Sequence, residues 1–447
     1  MGDIPAHWEI KRNGSLFQQR SPVGEPDWPI LEVSLRTGVR IREFGSSKRK
    51  QVMSDKAKYK CATKGDYVYN MMRMWQGAAG IAPVDGLVSP AYVVAKPLPH
   101  TNPAYFASLF RTDDYLAVID AFSRGIVKDR NRLYWDQFKQ IPTPCPPPKE
   151  QDAIARFLTW ATNRLDRAIR AKHRIITLLN EQKQAIIHRA VTRGLDPSVR
   201  LKESGIPWLG EIPEHWGLKR FRFLAKINSG HIDPQKPEYR DLVLIAPNHI
   251  QSGTGRLLNQ ETALQQGADS GKFLVQKGQV IYSKIRPMLR KATLAPCDCL
   301  CSADMYPIEP APDELPAEYL LLILLSQPFT RFAVDASLRV AMPKINREAL
   351  AGCLIWFPDL DEQSQILAFI TRESAPIDKA ISRLEREIEL LREYRTRLIA
   401  EVVTGKLDVR EAAARLTEPH NAFDEQLEPE EEEPEFEAED SETESMD

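Results

Sequence analysis

Two long stretches of the chain repeat one pattern of apolar and polar positions. Residues 150–196 and 362–408 align at a constant offset of 212 without a gap. Their apolar residues follow at alternating intervals of three and four, interrupted by Lys172, Lys183 and Arg395, and this spacing is typical of a coiled-coil seam. We predict two long helices that bury their stripes against each other; the alternative is two unrelated surface helices on separate domains. The predicted helix-pairing residues are Leu165, Ile169, Ile176, Leu179, Ile186, Ile377, Ile381, Leu384, Ile388, Leu391, Leu398 and Val402.

The parts of the chain outside these helices repeat as well. Residues 4–12 recur as 212–220 and share the motif I-P-x-H-W, and residues 64–69 recur as 277–282. The second pair alternates apolar and polar residues after a glycine, which is typical of a strand leaving a turn. Short helices are predicted at 103–116 and 316–332. This mixture favours an α+β fold with two tandem mixed α/β modules over a doubly wound sheet.

The repeat divides the chain into five parts. We predict a first module at 1–149, a first long helix at 150–196, a second module at 197–361, a second long helix at 362–410 and an acidic disordered tail at 411–447. Pro376 lies inside the second helix, and a proline there removes a backbone hydrogen bond and clashes with the preceding turn. We therefore expect that helix to divide into a short one at 363–373 and a continuous one at 377–404.

Composition narrows the class of protein. The chain has 447 residues, six cysteines and no apolar run long enough to cross a membrane, and it begins without a secretory signal. We therefore expect a cytoplasmic protein without disulfide bonds. Residues 418–447 contain 15 acidic residues and no Lys or Arg, whereas the rest has 60 Lys and Arg against 47 acidic residues, a net charge of +13. A basic body with an acidic tail suggests nucleic acid as a partner.

The order of these repeated motifs, modules and long helices along the chain resembles that of the specificity subunit of type I restriction-modification enzymes. The resemblance rests on the two I-P-x-H-W motifs, the repeated Glu-Gln helix starts, and residues 282–287 (YSKIRP) and 339–346 (RVAMPKIN), and it spans about residues 4–410. It implies that each module is a target recognition domain that reads one half of a bipartite double-stranded DNA site. It also implies a pseudo-two-fold arrangement in which the two helices form an antiparallel coiled coil and set the spacer between the half-sites.

The resemblance further implies partners and a division of labour. Two methyltransferase subunits would bind to the helices, and two motor-nuclease subunits would complete the restriction enzyme. The chain would then be non-catalytic and bind no cofactor, with S-adenosylmethionine, ATP and magnesium on the partner subunits. The 28 residues at 377–404 would span about 42 Å at ~1.5 Å per residue. That length corresponds to about 12 base pairs, near one turn of DNA.

Candidate DNA contacts are basic and polar residues in turns. Phosphate contacts position a protein on DNA, whereas Arg or Lys to guanine and Asn or Gln to adenine read the bases. Arg73 and Arg286 are the strongest candidates, because both follow the repeated Gly-led strand at a similar interval. An ordinary solvated charge is the alternative for each residue. The candidates are Lys48, Arg49, Lys50, Arg73, Gln76, Arg124, Lys128 and Arg130 in the first module and Asn248, His249, Gln251, Lys284, Arg286, Arg290, Lys291, Arg339 and Lys344 in the second.

Motifs for catalysis or metal binding are weak. Residues 102–105 (NPAY) resemble the adenine-binding motif of DNA methyltransferases, but the second proline is missing and no glycine-rich cofactor loop precedes them. Residues 297–301 (CDCLC) are not followed by the second ligand pair of a structural zinc site. His7 and His215 each precede a tryptophan, which favours packing over catalysis. Two alternatives to a DNA-reading subunit remain: a self-contained methyltransferase or nuclease, and a coiled-coil protein without DNA specificity.

Overall fold

The computed structural model describes residues 4–24, 27–42, 58–125, 131–337 and 343–416. The chain forms two compact units: the first combines Met1–Arg167 with Leu391–Asp447, and the second is Ala168–Leu390. Each long helix passes from one unit into the other, so each unit contains one module and part of both helices. Among the described helices, none combines the length and the apolar composition that a membrane crossing requires.

The first module is built around an antiparallel sheet covered by short helices. Its strands are β1 (Glu9–Arg12), β2 (Phe17–Arg20), β3 (Leu31–Ser34), β4 (Gly38–Ile41), β5 (Lys60–Ala62), β6 (Tyr67–Asn70), β7 (Ala79–Ile81), β8 (Gly86–Val88), β9 (Tyr92–Pro97) and β10 (Pro142–Cys145), and its helices are α1 (Pro103–Leu109), α2 (Asp113–Phe122) and α3 (Trp135–Phe138). The main sheet has the order β2-β9-β6-β7. Rings of Phe17, Tyr67 and Phe110 pack with centroids 5.3–6.1 Å apart and join this sheet to α1 and its C-terminal end.

The second module has the same plan. Its strands are β11 (Leu201–Glu203), β12 (Glu211–Pro213), β13 (Gly217–Arg220), β14 (Ala225–Ile227), β15 (His231–Ile232), β16 (Leu244–Ile245), β17 (Lys272–Val275), β18 (Val280–Ser283), β19 (Ala292–Leu294), β20 (Cys299–Cys301), β21 (Met305–Pro310) and β22 (Leu354–Phe357), and its helices are α5 (Phe221–Leu224), α6 (Ala317–Leu325), α7 (Gln327–Asp335) and α8 (Arg347–Gly352). The sheet order β14-β21-β18-β19 reproduces that of the first module. Strands β6 to β9 match β18 to β21 at a constant offset of 213.

The same glycine turn precedes the central strand in each module. Gly65 and Gly278 have φ angles of 92° and 84°, in the left-handed region that glycine adopts at no steric cost. The strands that follow are buried at successive positions and therefore on both faces: Tyr67–Tyr69 are 0% exposed and Val280–Tyr282 are 0–1% exposed. The Gly-led strands expected from the sequence are therefore present in both modules. Each expected short helix is in fact two helices, α1 with α2 and α6 with α7, because Thr112 and Ser326 adopt extended backbone between them.

The two long helices are α4 (Pro148–Arg193) and α9 (Leu360–Val403). Both are followed by a glycine with positive φ, 72° at Gly194 and 75° at Gly405, which is a common way to end a helix. The expected break at Pro376 was wrong, because α9 continues through it. Pro376 lies on the exposed side of the helix, where water can hydrate the carbonyl group that loses its backbone partner. A short helix outside the modules, α10 (Arg410–Ala414), follows α9 at the start of the predicted tail.

Ion pairs join the two long helices. In the second unit, Lys172 Nζ lies 2.5 Å from Glu387 Oε2 and Lys183 Nζ lies 2.7 Å from Asp378 Oδ1. Residue numbers rise along one helix as they fall along the other, so the helices are antiparallel. In the first unit, Arg395 Nη1 lies 3.4 Å from Asp166 Oδ1. The basic residues that interrupt the apolar stripe therefore bind acidic residues of the facing helix. All twelve predicted pairing residues are buried or partly buried.

Candidate nucleic-acid interface

Each module is attached to the first turn of one long helix by the I-P-x-H-W motif. In the first unit, His7 Nε2 lies 2.8 Å from Glu150 Oε2, and the Trp8 indole N–H donates to Glu150 Oε1 at 3.1 Å. In the second unit, the same bonds to Glu362 are made by the motif's histidine and tryptophan, His215 at 2.7 Å and Trp216 at 3.2 Å. The two histidines therefore connect a module to its helix.

The glutamine after each of these glutamates makes a second link. Gln151 donates from Nε2 to the Pro146 carbonyl at 2.9 Å and accepts the Asn102 backbone N–H at 2.8 Å. Gln363 donates from Nε2 to the Pro358 and Glu314 carbonyls, both at 2.9 Å. The repeated Glu-Gln start is thus the part of each helix that holds the extended strand before it.

Each module also holds the last turn of the other helix. The Tyr105 hydroxyl donates to the Val403 carbonyl at 3.1 Å, and the Trp356 indole N–H donates to the Val191 carbonyl at 2.6 Å. Carbonyl groups in a last helical turn lack partners within the helix, so these bonds satisfy groups that burial would otherwise leave unpaired. Every module is therefore fixed to the start of one long helix and the end of the other.

Basic candidates converge on the hairpin between β18 and β19 in the second module. The backbone N–H of Arg286 donates to the Pro343 carbonyl at 2.9 Å, which places Lys344 beside this hairpin. The Gly253 N–H donates to the Arg290 carbonyl at 3.0 Å, which adds the turn that begins at Gln251. The structure therefore brings six candidates from three separate segments of the chain together. They are Gln251, Lys284, Arg286, Arg290, Lys291 and Lys344.

The tip of this hairpin is held in an uncommon backbone conformation. Arg286 and Arg290 have φ angles of 46° and 47°, in the left-handed region that side chains other than glycine rarely adopt. Such residues cost on the order of 1–3 kcal/mol each, persist only when the surroundings fix them, and cluster at functional sites. Here the Leu289 N–H donates to the Arg286 carbonyl at 2.9 Å, and the Arg290 N–H donates to the Pro287 carbonyl at 3.0 Å. The tip therefore presents exposed Arg286 on a fixed backbone.

Lys284 is less available to a ligand than the arginines. Its ammonium group donates to the Ala303 carbonyl and lies 5.5 Å from the ring centre of Tyr306. Burial lowers the pKa of Lys284, and the nearby charges of Lys344 and Arg347 act in the same direction, while Asp304 opposes them. Arg286, which is exposed at the tip, is therefore the stronger candidate for contact with a nucleobase or a phosphate.

The corresponding hairpin of the first module, between β6 and β7, carries Arg73 and Gln76. The Met72 N–H donates to Asn70 Oδ1 at 3.0 Å and fixes the start of the turn. Arg73 and Arg286, which the sequence placed at similar intervals after a glycine, thus lie on equivalent hairpins. Arg124 is exposed and forms an antiparallel bridge with Arg132.

The remaining candidates divide into three groups. Asn248 is exposed on the short turn Pro247–His249. His249 is 6% exposed, and its Nδ1 accepts the Ala246 N–H at 3.2 Å, so its ring stabilises this turn and we remove it from the base-reading candidates. The others lie outside the described residues: Lys48, Arg49, Lys50, Lys128, Arg130 and Arg339.

The weak catalytic and metal motifs have structural roles. Asn102 caps α1, with its Oδ1 accepting the backbone N–H groups of Ala104 and Tyr105 at 2.9 and 3.3 Å. Cys299 and Cys301 are buried in β20, and burial raises the pKa of Cys299 to about 12. Within the described residues, no three His, Cys, Asp or Glu side chains are grouped to hold a metal ion.

Sequence reasoning missed three exposed residues that lie beside the candidates. Exposed Arg256 closes the turn that begins at Gln251, with a 2.9 Å bond between the Gln251 N–H and the Arg256 carbonyl. Arg132 pairs with Arg124 by backbone bonds of 2.9 and 3.0 Å. Both are basic residues close in sequence to a candidate, and this signal could have identified them. Met288, 68% exposed at the hairpin tip, carried no such signal.

Comparisons with known proteins agree with this architecture. Residues 213–390 match the family described as type I restriction modification DNA specificity domain. The chain is 30% identical over 277 residues to the type I restriction enzyme EcoDI specificity subunit of Escherichia coli, covering 59% of this chain and 61% of that protein. It is 22% identical over 294 residues to the type I restriction enzyme MjaVIII specificity subunit of Methanocaldococcus jannaschii, covering 61% and 64%. The chain thus spans less than two thirds of the length of these two relatives.

A solved structure shares the fold. It is described as the structural basis of complex assembly and conformational transition of the type I R-M system, and it matches with a TM-score of 0.64 and 14% identity. The match covers 91% of this chain and 100% of the other. The resemblance inferred from the sequence and the predicted fold class are confirmed.

Proposed function

We propose that this chain is a DNA specificity subunit of a type I restriction-modification system in which each module reads one half of a bipartite site. One observation carries the proposal: the two modules are attached to the two long helices through the same bonds. Glu150 and Glu362 accept equivalent histidine and tryptophan donors. Duplex DNA has two-fold symmetry of its backbone, so a duplicated reader can place one module on each half-site.

The hairpins are the proposed reading surfaces. Arg286 in the second module and Arg73 in the first lie on equivalent hairpins, and an arginine side chain can bond a guanine edge at two points or bind phosphate. Neighbouring Lys291, Arg290 and Lys344 add positive charge, which supplies affinity that falls as salt rises.

The long helices are the proposed spacer and the scaffold for partner subunits. Large apolar side chains on their outer faces are exposed although the helices are already paired: Ile175 by 45%, Leu178 by 47% and Leu390 by 48%. Exposed apolar patches are typical of protein–protein contact sites. We propose that two methyltransferase subunits bind here and that two motor-nuclease subunits complete the enzyme in the cytoplasm. S-adenosylmethionine, ATP and magnesium would then bind to those subunits, and this chain would perform no catalysis.

Arginine substitution tests the reading surface. The cognate site would first be taken from methylated positions in host DNA, and the chain titrated against cognate and random duplexes at several salt concentrations. Arg286→Ala should weaken cognate binding by about 1–3 kcal/mol and relax preference at one base position. Arg240→Ala, at a half-exposed arginine outside the hairpin, is the matched control and should retain that preference. A uniform loss on all sequences would instead make Arg286 a phosphate contact.

Module exchange tests the bipartite arrangement. Replacing residues 1–149 by the corresponding module of another such protein should change one half-site and keep the other. Loss of both half-sites would contradict independent reading. Equal affinity for cognate and random duplex in the unmodified chain would favour the alternative of a coiled-coil protein without DNA specificity.

Helix insertion tests the spacer. Four residues added to α4 and α9, at the facing positions of Lys172 and Glu387, should lengthen the pair by about 6 Å. The gap between half-sites should then grow by about 2 base pairs, while the bases read at each half-site stay the same. An unchanged gap would contradict the proposal. The control is the same insertion in α4 alone, which changes the pairing of the two helices without lengthening both.

A further inference from the structure

A glycine-containing turn of the second module, residues 251–256, lies between helix α4 and the hairpin that joins β18 to β19. This hairpin, which carries Arg286 and Arg290, is the proposed reading hairpin of the second module. Gln184 of α4 donates from Nε2 to the Gly253 carbonyl at 3.0 Å, and this bond is partly buried. The same glycine donates its N–H to the Arg290 carbonyl at 3.0 Å. One residue of the turn therefore bonds both the helix and the hairpin.

The contact between the turn and Arg290 is close as well as polar. Gly253 has a φ angle of +71°, and a Cβ built on it would lie 3.0 Å from Nη2 and 3.2 Å from Cζ of Arg290. Arg290 is itself one of the two hairpin residues with a left-handed backbone. A shift of the turn would therefore move both the backbone and the guanidinium of Arg290.

The opposite side of the turn is fixed to the body of the module. The Thr293 hydroxyl donates to the Gly255 carbonyl at 2.8 Å. A Cβ at Gly255 would lie 3.4 Å from Leu325 and 3.5 Å from Leu321, both on α6. Since β19 and α6 already hold the turn, the bond from Gln184 adds a link from the module to the helix.

The corresponding position of the other helix makes a different contact. At the offset of 212, Gln184 corresponds to Thr396 in α9. Thr396 is exposed, and its hydroxyl donates to the Arg392 carbonyl of its own helix at 3.2 Å. The link through Gln184 is therefore a feature of the second module that the duplication does not reproduce at this position.

We propose that Gln184 is a positioning residue that fixes the second reading hairpin at a defined distance from the spacer helix, without contacting DNA itself. This inference rests on the function proposed above. It follows that the second half-site is read at a strictly defined distance from the spacer, because movement of α4 is transmitted through Gly253 to Arg290.

The test uses the full chain and duplexes in which the gap between half-sites differs by one base pair. Gln184→Met keeps the size of the side chain and removes the donor, and Gln182→Met, at an exposed residue two positions earlier, is the control. Gln184→Met should reduce the preference for the correct gap by about fivefold, the effect of one hydrogen bond. It should leave the base preferences of the first half-site unchanged, whereas the control should keep the wild-type preference.

Hydrogen exchange provides a second readout that needs no DNA. The Gly253 amide should exchange several-fold faster in Gln184→Met than in Gln182→Met, while amides of β18 should exchange at the wild-type rate. Unchanged exchange at Gly253, or an unchanged gap preference, would overturn the role of Gln184 and leave the proposed function intact. A wild-type chain that binds all duplexes alike would overturn the proposed function and this inference with it.

Discussion

Two buried tyrosines at comparable places in the two modules should respond in opposite ways to the same substitution. Tyr105 and Tyr319 are both 0% exposed, and burial raises the pKa of each phenol, so both are neutral at physiological pH. The Tyr105 hydroxyl donates to the Val403 carbonyl at 3.1 Å. The Tyr319 hydroxyl has no hydrogen-bond partner among the described residues. Replacement by phenylalanine removes the same atom from two different environments.

The expected magnitudes follow from what each hydroxyl leaves behind. Tyr105→Phe removes a hydrogen bond and leaves the Val403 carbonyl buried at the end of α9, which should cost about 1–2 kcal/mol of unfolding free energy. Tyr319→Phe removes a hydroxyl group that burial separates from water without providing a hydrogen-bond partner. This substitution should therefore stabilise the protein by roughly 0.5–1 kcal/mol. The two variants should therefore differ by about 2 kcal/mol, or roughly 4–8 °C in Tm for units of this size.

Calorimetry and urea denaturation of the full chain measure the difference. Because the two units can unfold in separate transitions, each variant is compared with the wild type in the transition that it shifts. Hydrogen exchange at the end of α9 should increase in Tyr105→Phe and stay at the wild-type rate in Tyr319→Phe. Equal destabilisation by both substitutions would refute the reasoning, since it would mean that the Tyr319 hydroxyl is as well bonded as that of Tyr105.

Three further predictions concern a helical proline, an ion pair and two cysteines. Pro376→Ala should raise the unfolding free energy by roughly 1–3 kcal/mol in urea denaturation, because it restores a backbone donor inside a continuous helix. A decrease in the unfolding free energy would contradict this account of the exposed proline. Lys183→Met and Asp378→Asn, combined in a double-mutant cycle, should show a coupling of about 0.5 kcal/mol that decreases with salt, as expected for a partly exposed pair. Alkylation of the native protein at pH 8, followed by mass spectrometry, should modify exposed Cys297 far faster than Cys299. Cys299 is buried, and its pKa is raised to about 12. Equal rates of alkylation would contradict the burial of β20.

The long helices were the most predictable part of the fold. Their apolar spacing and the glycines after them are local signals, and the observed bounds of α4 lie within a few residues of the predicted ones. The expected break at Pro376 was wrong because the cost of a helical proline depends on whether the freed carbonyl meets water or protein. That depends on which side of α9 faces its partner, so the sequence around Pro376 could not decide it.

The site was predictable in part. The repeat identified Glu150 and Glu362 as equivalent, but their bonds to the tryptophans join residues 142 and 146 positions apart, which local patterns do not encode. The interval from a glycine placed Arg286 just after a strand, and the structure has it in the hairpin between β18 and β19. Its left-handed backbone was not predictable, because contacts with the distant segment at Pro343 help to fix it.

The two copies agree where they join the helices and differ where they would meet DNA. The bonds to Glu150 and Glu362 are the same in both units, within about 0.1 Å in each distance. The first hairpin closes through Gly77 with a φ of 90°, whereas the second closes through arginines with positive φ. If each module reads one half-site, as proposed, equal attachment with unequal hairpin tips implies that the two half-sites differ in sequence, so we expect the methylated site of the host to be asymmetric. A palindromic site would mean that the hairpin tips do not determine the bases read.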